Sequence, residues 1–127
     1  MFGKKKVNIA QQRIDSLVGA ETGVKGDLDF TGGLRVDGQV VGNIKNTEGN
    51  TDSTLVLSEK AKVVGEVHVP HVVINGTVDG PVFATEYLEL LANARVTGDV
   101  HYKTLEMHVG AVVEGRLYHL SQASTEN

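Results

Sequence analysis

The chain has 127 residues, enough for one domain, with a formal net charge of −4, 40% hydrophobic but only 5% aromatic residues, and neither tryptophan nor cysteine. Lacking cysteine, it has no disulfide and no thiolate metal site, and no run approaches the ~18 apolar residues of a membrane-spanning helix. Once Lys4, Lys5 and Lys6 are set aside, nine basic residues face 16 acidic ones, and so acidic a body argues against nucleic acid as the main partner.

Residues 1–15 read as a flexible tail. Met1-Phe2-Gly3-Lys4-Lys5-Lys6 places two large apolar side chains before three lysines. Met1 and Phe2 suit the lipid headgroup boundary, while Lys4, Lys5 and Lys6 suit anionic lipids, each worth on the order of 1 kcal/mol near the surface. One such peptide binds marginally, but many arrayed on a polymer bind by avidity. Taken alone, the same residues also fit a frayed, solubilising terminus. Gly3 does not directly follow the initiator methionine, so myristoylation is not expected, and the basic start lacks the apolar run of a signal peptide. Residues 7–16 (VNIAQQRIDS) form a polar tether.

From there the chain repeats itself. Residues 17–30 make a degenerate first unit and residues 34–44 a second. Residues 45–54 (KNTEGNTDST) carry no large apolar side chain and read as a loop bulging from a corner. Units three to six occupy residues 55–69, 72–84, 88–100 and 105–117, and residues 121–127 are a polar tail. Residues 88–100 and 105–117 share the template L-x-[LM]-x-x-x-A-x-V-x-G-x-[VL] and start seventeen residues apart; residues 55–67 (LVLSEKAKVVGEV) are a third copy.

The kernel V-x-G-x-[VIL] recurs six times, with glycines at Gly26, Gly42, Gly65, Gly80, Gly98 and Gly115, stepping by 16, 23, 15, 18 and 17 residues. Two half-copies, Val36-Gly38-Val40 and Ile74-Gly76-Val78, accompany them. Apolar residues at i and i+2 share one face of a strand, so Leu88, Leu90, Ala94, Val96 and Val100 point inward. The outward positions, Glu89, Arg95, Thr97, Asp99, Glu106, His108, Glu114 and Arg116, are polar. Glycine suits the corners, as does Pro81, which has no N–H for a sheet ladder. So short a unit cannot bury its apolar face alone. Stacked roughly 4.8 Å apart, such units enclose one continuous core. The expected fold is all-β, a single parallel β-helix (β-solenoid) of about six turns over residues 16–120, with flexible termini.

No catalytic or cofactor-binding motif appears. Nucleophile elbow, phosphate loop and strand–helix dinucleotide fingerprint are all missing, and the glycine-rich stretches read as corners. None of His68, His71, His101, His108 and His119 shows a compact metal-ligand spacing. His68 and His71 flank Pro70 and offer at most a weak metal site. His101 and His108 should face solvent, and Glu86, Glu89 and Glu106 read as a solvated face. A hexapeptide-repeat acyltransferase is the enzymatic alternative, because Leu55, Ala61 and Val67, like Leu88, Ala94 and Val100, are six apart. That repeat wants small residues three positions later, a rule that mostly fails here: Ser58 and Thr97 stand among Val64, Pro70, Leu91, Lys103, His108, Glu114 and Leu120. No enzymatic activity, cofactor or metal is expected.

The sequence resembles the bactofilin family of polymer-forming bacterial cytoskeletal proteins. The likeness rests on the hexapeptide Met1-Phe2-Gly3-Lys4-Lys5-Lys6, on Gly32-Gly33-Leu34-Arg35-Val36-Asp37-Gly38 leading to Val41-Gly42-Asn43-Ile44, on residues 88–100, and on Gly110-Ala111-Val112-Val113-Glu114-Gly115. It implies a right-handed β-helix; handedness enters only through the resemblance. It also implies non-polar filaments or sheets, formed without nucleotide on the inner face of the cytoplasmic membrane. The partners implied are the chain itself, anionic lipids bound through Met1, Phe2, Lys4, Lys5 and Lys6, and recruited cell-wall enzymes or other membrane proteins.

The residues independently favour self-assembly. A β-solenoid ends in two open edges, and an open edge is a template for another chain. The expected interface residues are Leu17, Val18, Val24 and Leu28 in turn one and Val113, Leu117 and Tyr118 in turn six, each with a neighbouring turn on one side only. The competing reading is a non-polymerising scaffold that binds a partner along its flat faces.

Overall fold

The computed structural model describes residues 14–121. Among them the repeat resolves into eighteen short strands, three to a turn, and no helix. Turn one holds β1 (Ser16–Val18), β2 (Gly23–Lys25) and β3 (Leu28–Phe30); turn two holds β4 (Gly33–Val36), β5 (Gln39–Val41) and β6 (Ile44–Asn46). Turn three holds β7 (Thr54–Leu57), β8 (Lys62–Val64) and β9 (Val67–His68); turn four holds β10 (His71–Ile74), β11 (Thr77–Asp79) and β12 (Val82–Ala84). Turn five holds β13 (Tyr87–Leu90), β14 (Arg95–Thr97) and β15 (Val100–Tyr102); turn six holds β16 (Leu105–Met107), β17 (Val112–Glu114) and β18 (Leu117–His119). Each strand lies parallel to its counterparts one turn away, which gives three six-stranded sheets, one per side of the tube. The solenoid reading and its six turns are therefore correct.

Pairing in register stacks like on like. Leu34, Leu55, Val72, Leu88 and Leu105 form one inward column. Val40, Val63, Val78, Val96 and Val113 form a second, on the next sheet. Ile44, Val67, Val82, Val100 and Leu117 form a third. Branched side chains suit this role because they pack tightly on a pleated surface with little rotamer freedom to lose. In turns two to five these columns are almost wholly shielded from solvent. A Leu88→Ala change, at a side chain with no exposure, leaves a cavity in the leucine column. It is expected to cost about 2–5 kcal/mol, measured by urea unfolding followed by circular dichroism.

The corners explain why the template fits only some turns. In turns three, five and six the first corner has four residues closed by a tight turn, in which Ser58, Leu91 and His108 carbonyls accept the Ala61, Ala94 and Ala111 N–H at 2.9, 3.0 and 3.1 Å. In turns two and four it shrinks to Asp37-Gly38 and Asn75-Gly76. The half-copies Val36-Gly38-Val40 and Ile74-Gly76-Val78 thus mark the first corner, whereas the six full kernels mark the second. Short and long corners nest: a Cβ on Gly76 would stand 2.4 Å from the Ser58 carbonyl oxygen. At the second corner, short side chains cap the turn above. Asp27 Oδ1 accepts the Asn43 N–H and Asn43 Oδ1 accepts the Glu66 N–H, both at 2.9 Å, while Asp99 Oδ1 accepts the Arg116 N–H at 3.0 Å. Pro81 occupies the place over Glu66 and needs no acceptor. The third corner takes the insertion, residues 47–53, where Asn50 Oδ1 accepts the Asp52 N–H at 2.8 Å and the Ser53 hydroxyl at 3.2 Å.

Candidate functional site

The tube has two ends. β1, β2 and β3 have a neighbour on one side only, as do β16, β17 and β18. Through the body, second-corner amides donate forward, as Gly98 N–H does to Glu114 and Val100 N–H to Arg116, at 3.0 and 2.8 Å. First-corner amides donate backward, as His108 N–H does to Leu90 and Val112 N–H to Ala94, both at 2.9 Å. Turn six therefore presents donors at Gly115 and Leu117 and acceptors at Met107 and Ala111, with no following turn among the described residues. By the same pattern, turn one presents donors at Gly19 and Gly23 and acceptors at Lys25 and Asp27.

The apolar side chains between these edges divide the seven expected interface residues. Val18, Val24 and Leu28 pair with Val36, Val40 and Ile44 and point into the tube at the first end. Val113 and Leu117 pair with Val96 and Val100 and point into it at the last, where Leu117 is 46% exposed, with no further turn over it among the described residues. Leu17 and Tyr118 lie elsewhere. They pair with Arg35 and His101, whose side chains face outward, so they sit on the flanks at the rim. Sequence reasoning missed Phe30 at the first end and Leu105, Met107 and Ala111 at the last; Phe30, Leu105 and Ala111 are packed against the core and Met107 pairs with the buried Leu90. The signal was available, because Leu105, Met107 and Ala111 hold the same template positions as Leu88, Leu90 and Ala94. Val109, 96% exposed on the last first-corner, adds an apolar side chain to that rim. Met1, Phe2, Lys4, Lys5 and Lys6 lie outside the described residues.

The outer faces carry two arrangements that spacing alone did not announce. On the third sheet the rings of His68, Phe83, His101 and Tyr118 stack along the tube, with centroids 4.3, 4.3 and 4.8 Å apart. His101 is thus held between rings rather than simply facing water. His68 also places Nε2 2.8 Å from Glu66 Oε1, while His71 stands on the first sheet, across the corner at Pro70. On the first sheet Glu89 and Glu106 are register partners, and His108 joins them. His108 Nε2 lies 2.8 Å from Glu89 Oε2 and 3.5 Å from Glu106 Oε2. The Tyr87 hydroxyl donates to Glu106 Oε1 at 2.8 Å and reaches Glu89 Oε1 at 3.3 Å. Burial, then the hydrogen bond to Glu106 and the charges of both carboxylates, push the Tyr87 phenol well above its ordinary value, so it stays a donor at neutral pH.

The family model described as "Bactofilin: Polymer-forming cytoskeletal" matches residues 16–118. The chain is also similar to Bactofilin BacP of Myxococcus xanthus (strain DK1622), with 26% identity over 117 residues, covering 92% of this chain and 47% of that protein. The chain thus spans about half the length of the curated relative it matches. No solved structure matches it.

Proposed function

The chain belongs to the bactofilin family of polymer-forming cytoskeletal proteins, and from that premise we propose that it is a structural polymer, not an enzyme, built by stacking solenoids end on end through their open turns. The observation that carries this reading is the pair of ends that no further turn covers among the described residues, each combining open backbone edges with inward apolar side chains. An exposed edge of this kind recruits another strand, and repeated end contacts make a filament. A two-fold contact needs donors and acceptors on the same surface, and each end has both. The ends are therefore compatible with the non-polar filaments the family resemblance implies, in which first end meets first end and last meets last, although the same edges also match head to tail. Assembly by stacking alone requires no nucleotide. The Met1-Phe2-Lys4-Lys5-Lys6 segment then anchors the filament to anionic lipid on the inner face of the cytoplasmic membrane, where repetition along the polymer compensates for weak single contacts. In that setting the polymer scaffolds cell-shape or cell-wall machinery.

Electron microscopy of the chain lacking residues 1–6, without nucleotide, is expected to show filaments with an axial repeat of roughly 30 Å, the height of six stacked turns. Monodisperse particles at high protein concentration would reject autonomous assembly. In flotation with vesicles containing anionic lipid, the full chain is expected to rise with the vesicles at moderate ionic strength and the truncated chain to stay at the bottom of the gradient. Equal flotation of both would remove the anchor from the hexapeptide.

A further inference from the structure

The Glu89–Glu106 pair needs an account. Parallel, in-register pairing sets the two carboxylates on neighbouring strands with both side chains outward. Like charges directly across a strand pair are destabilising, and a polymer surface has no evident need for them. Yet the two are not turned apart. Their Oε2 atoms both face His108 Nε2, at 2.8 and 3.5 Å, and the ligand atoms of all three residues lie within 4.8 Å of one another.

We propose that Glu89, Glu106 and His108 form a binding site for one divalent cation of the zinc class, joining the last two turns of the solenoid. Donor atoms around a tetrahedral zinc ion, at bond lengths of about 2.0–2.1 Å, stand about 3.3 Å apart. The separations from His108 bracket that value, so loading needs only side-chain adjustment. The charge balances, because two carboxylates and a neutral imidazole bring −2 to a 2+ ion. One nitrogen among oxygens selects zinc and its neighbours over magnesium or calcium, which prefer all-oxygen shells. Tyr87 supplies the outer support such sites use: holding the Oε1 atoms, it turns the Oε2 atoms toward the imidazole. The side chains of His108 and Glu106 are 41% and 56% exposed, which leaves a path for the ion and room for water in the remaining coordination position.

The site occurs once on this column. One turn earlier the place of Glu89 is taken by Val73, and the place of His108 in turn five by Leu91. It also lies where a clamp has an effect, since β16 pairs with β13 alone. An ion bridging Glu89 to Glu106 and His108 would fasten the edge strand of turn six to turn five. This inference does not depend on how the chain assembles.

The test is isothermal calorimetry of the full chain with zinc chloride and, separately, magnesium chloride. One saturable zinc site per chain is expected, with no comparable magnesium heat. Affinity is expected to fall at least tenfold in both Glu106→Gln and His108→Ala, and to survive in a His68→Ala/His71→Ala double variant. Zinc at one fixed concentration should raise the thermal midpoint of the parent chain more than that of Glu106→Gln. Absence of saturable zinc binding, or affinity unchanged in either Glu106→Gln or His108→Ala, would overturn the site and reduce the triad to a His–Glu ion pair.

Discussion

A Gly65→Ala protein is expected to lose about 4 kcal/mol or more of stability, enough to lower the thermal midpoint by roughly 15 °C or more. Gly65 sits at the second corner of turn three with φ +148°, a region that alanine rarely adopts. The strain is the smaller part. A Cβ there would stand 2.1 Å from the Gly42 carbonyl oxygen and 2.6 Å from its carbon. Both are backbone atoms of the turn below, so no side chain can swing aside; the two turns must separate. Separation breaks the Gly42 N–H bond to Val64, at 2.9 Å, which fixes the spacing between turns two and three. The same column continues through Gly80, where a Cβ would meet the Gly65 oxygen at 2.1 Å. Gly26 provides the control. Its φ is +131°, but it has no turn beneath it, and a Cβ would meet nothing within 4 Å. Gly26→Ala is therefore expected to cost only the backbone strain, about 1–2 kcal/mol. Thermal unfolding of both variants at equal concentration measures the difference, and equal losses would show that stacking is not what requires glycine at Gly65.

Leu117→Arg is expected to abolish filaments while leaving the fold intact. Leu117 continues the column of Val82 and Val100, yet it is 46% exposed because the column stops there. A solenoid docking on this end would cover it. Arginine at that place brings an unpaired charge into an apolar contact, at a cost of roughly 3–5 kcal/mol, which weakens the contact about 10²–10³-fold or more. Because the Leu117 position is nearly half exposed in the single chain, arginine can lay its stem on the column and turn its charged head to water, so circular dichroism should match the parent. The residual particle then reports filament polarity. Alternating first-to-first and last-to-last contacts would leave dimers joined through turn one, whereas head-to-tail stacking would leave monomers. Sedimentation velocity separates these, and filaments of unchanged length by electron microscopy would sink the assignment of the last turn to the interface.

Corner glycines and inward residues were legible from residues such as Val96, Gly98 and Val100, because alternation along a strand is local: a side chain's sense is fixed by its immediate neighbours. The aromatic ladder was legible in principle and passed unnoticed. His68, Phe83, His101 and Tyr118 each stand three residues after a corner glycine, at outward positions that the apolar alternation does not mark. The flank positions of Leu17 and Tyr118 were also readable from alternation, since Val18 and Leu117 are their inward neighbours.

By itself, then, the sequence determined the strand period, the number of turns, the inward columns and the places where the chain must bend. Only the tertiary structure decided which outward residues meet. That depends on register between turns, and register depends on corner lengths, which at the first corner vary from two residues at Asn75-Gly76 to four at residues 91–94. The seventeen-residue template sets Glu89 against Glu106, but it does not bring the His108 side chain across to both. The stacked backbone does so, since hydrogen bonds between neighbouring turns align Leu88 with Leu105 and carry every outward side chain into line with them.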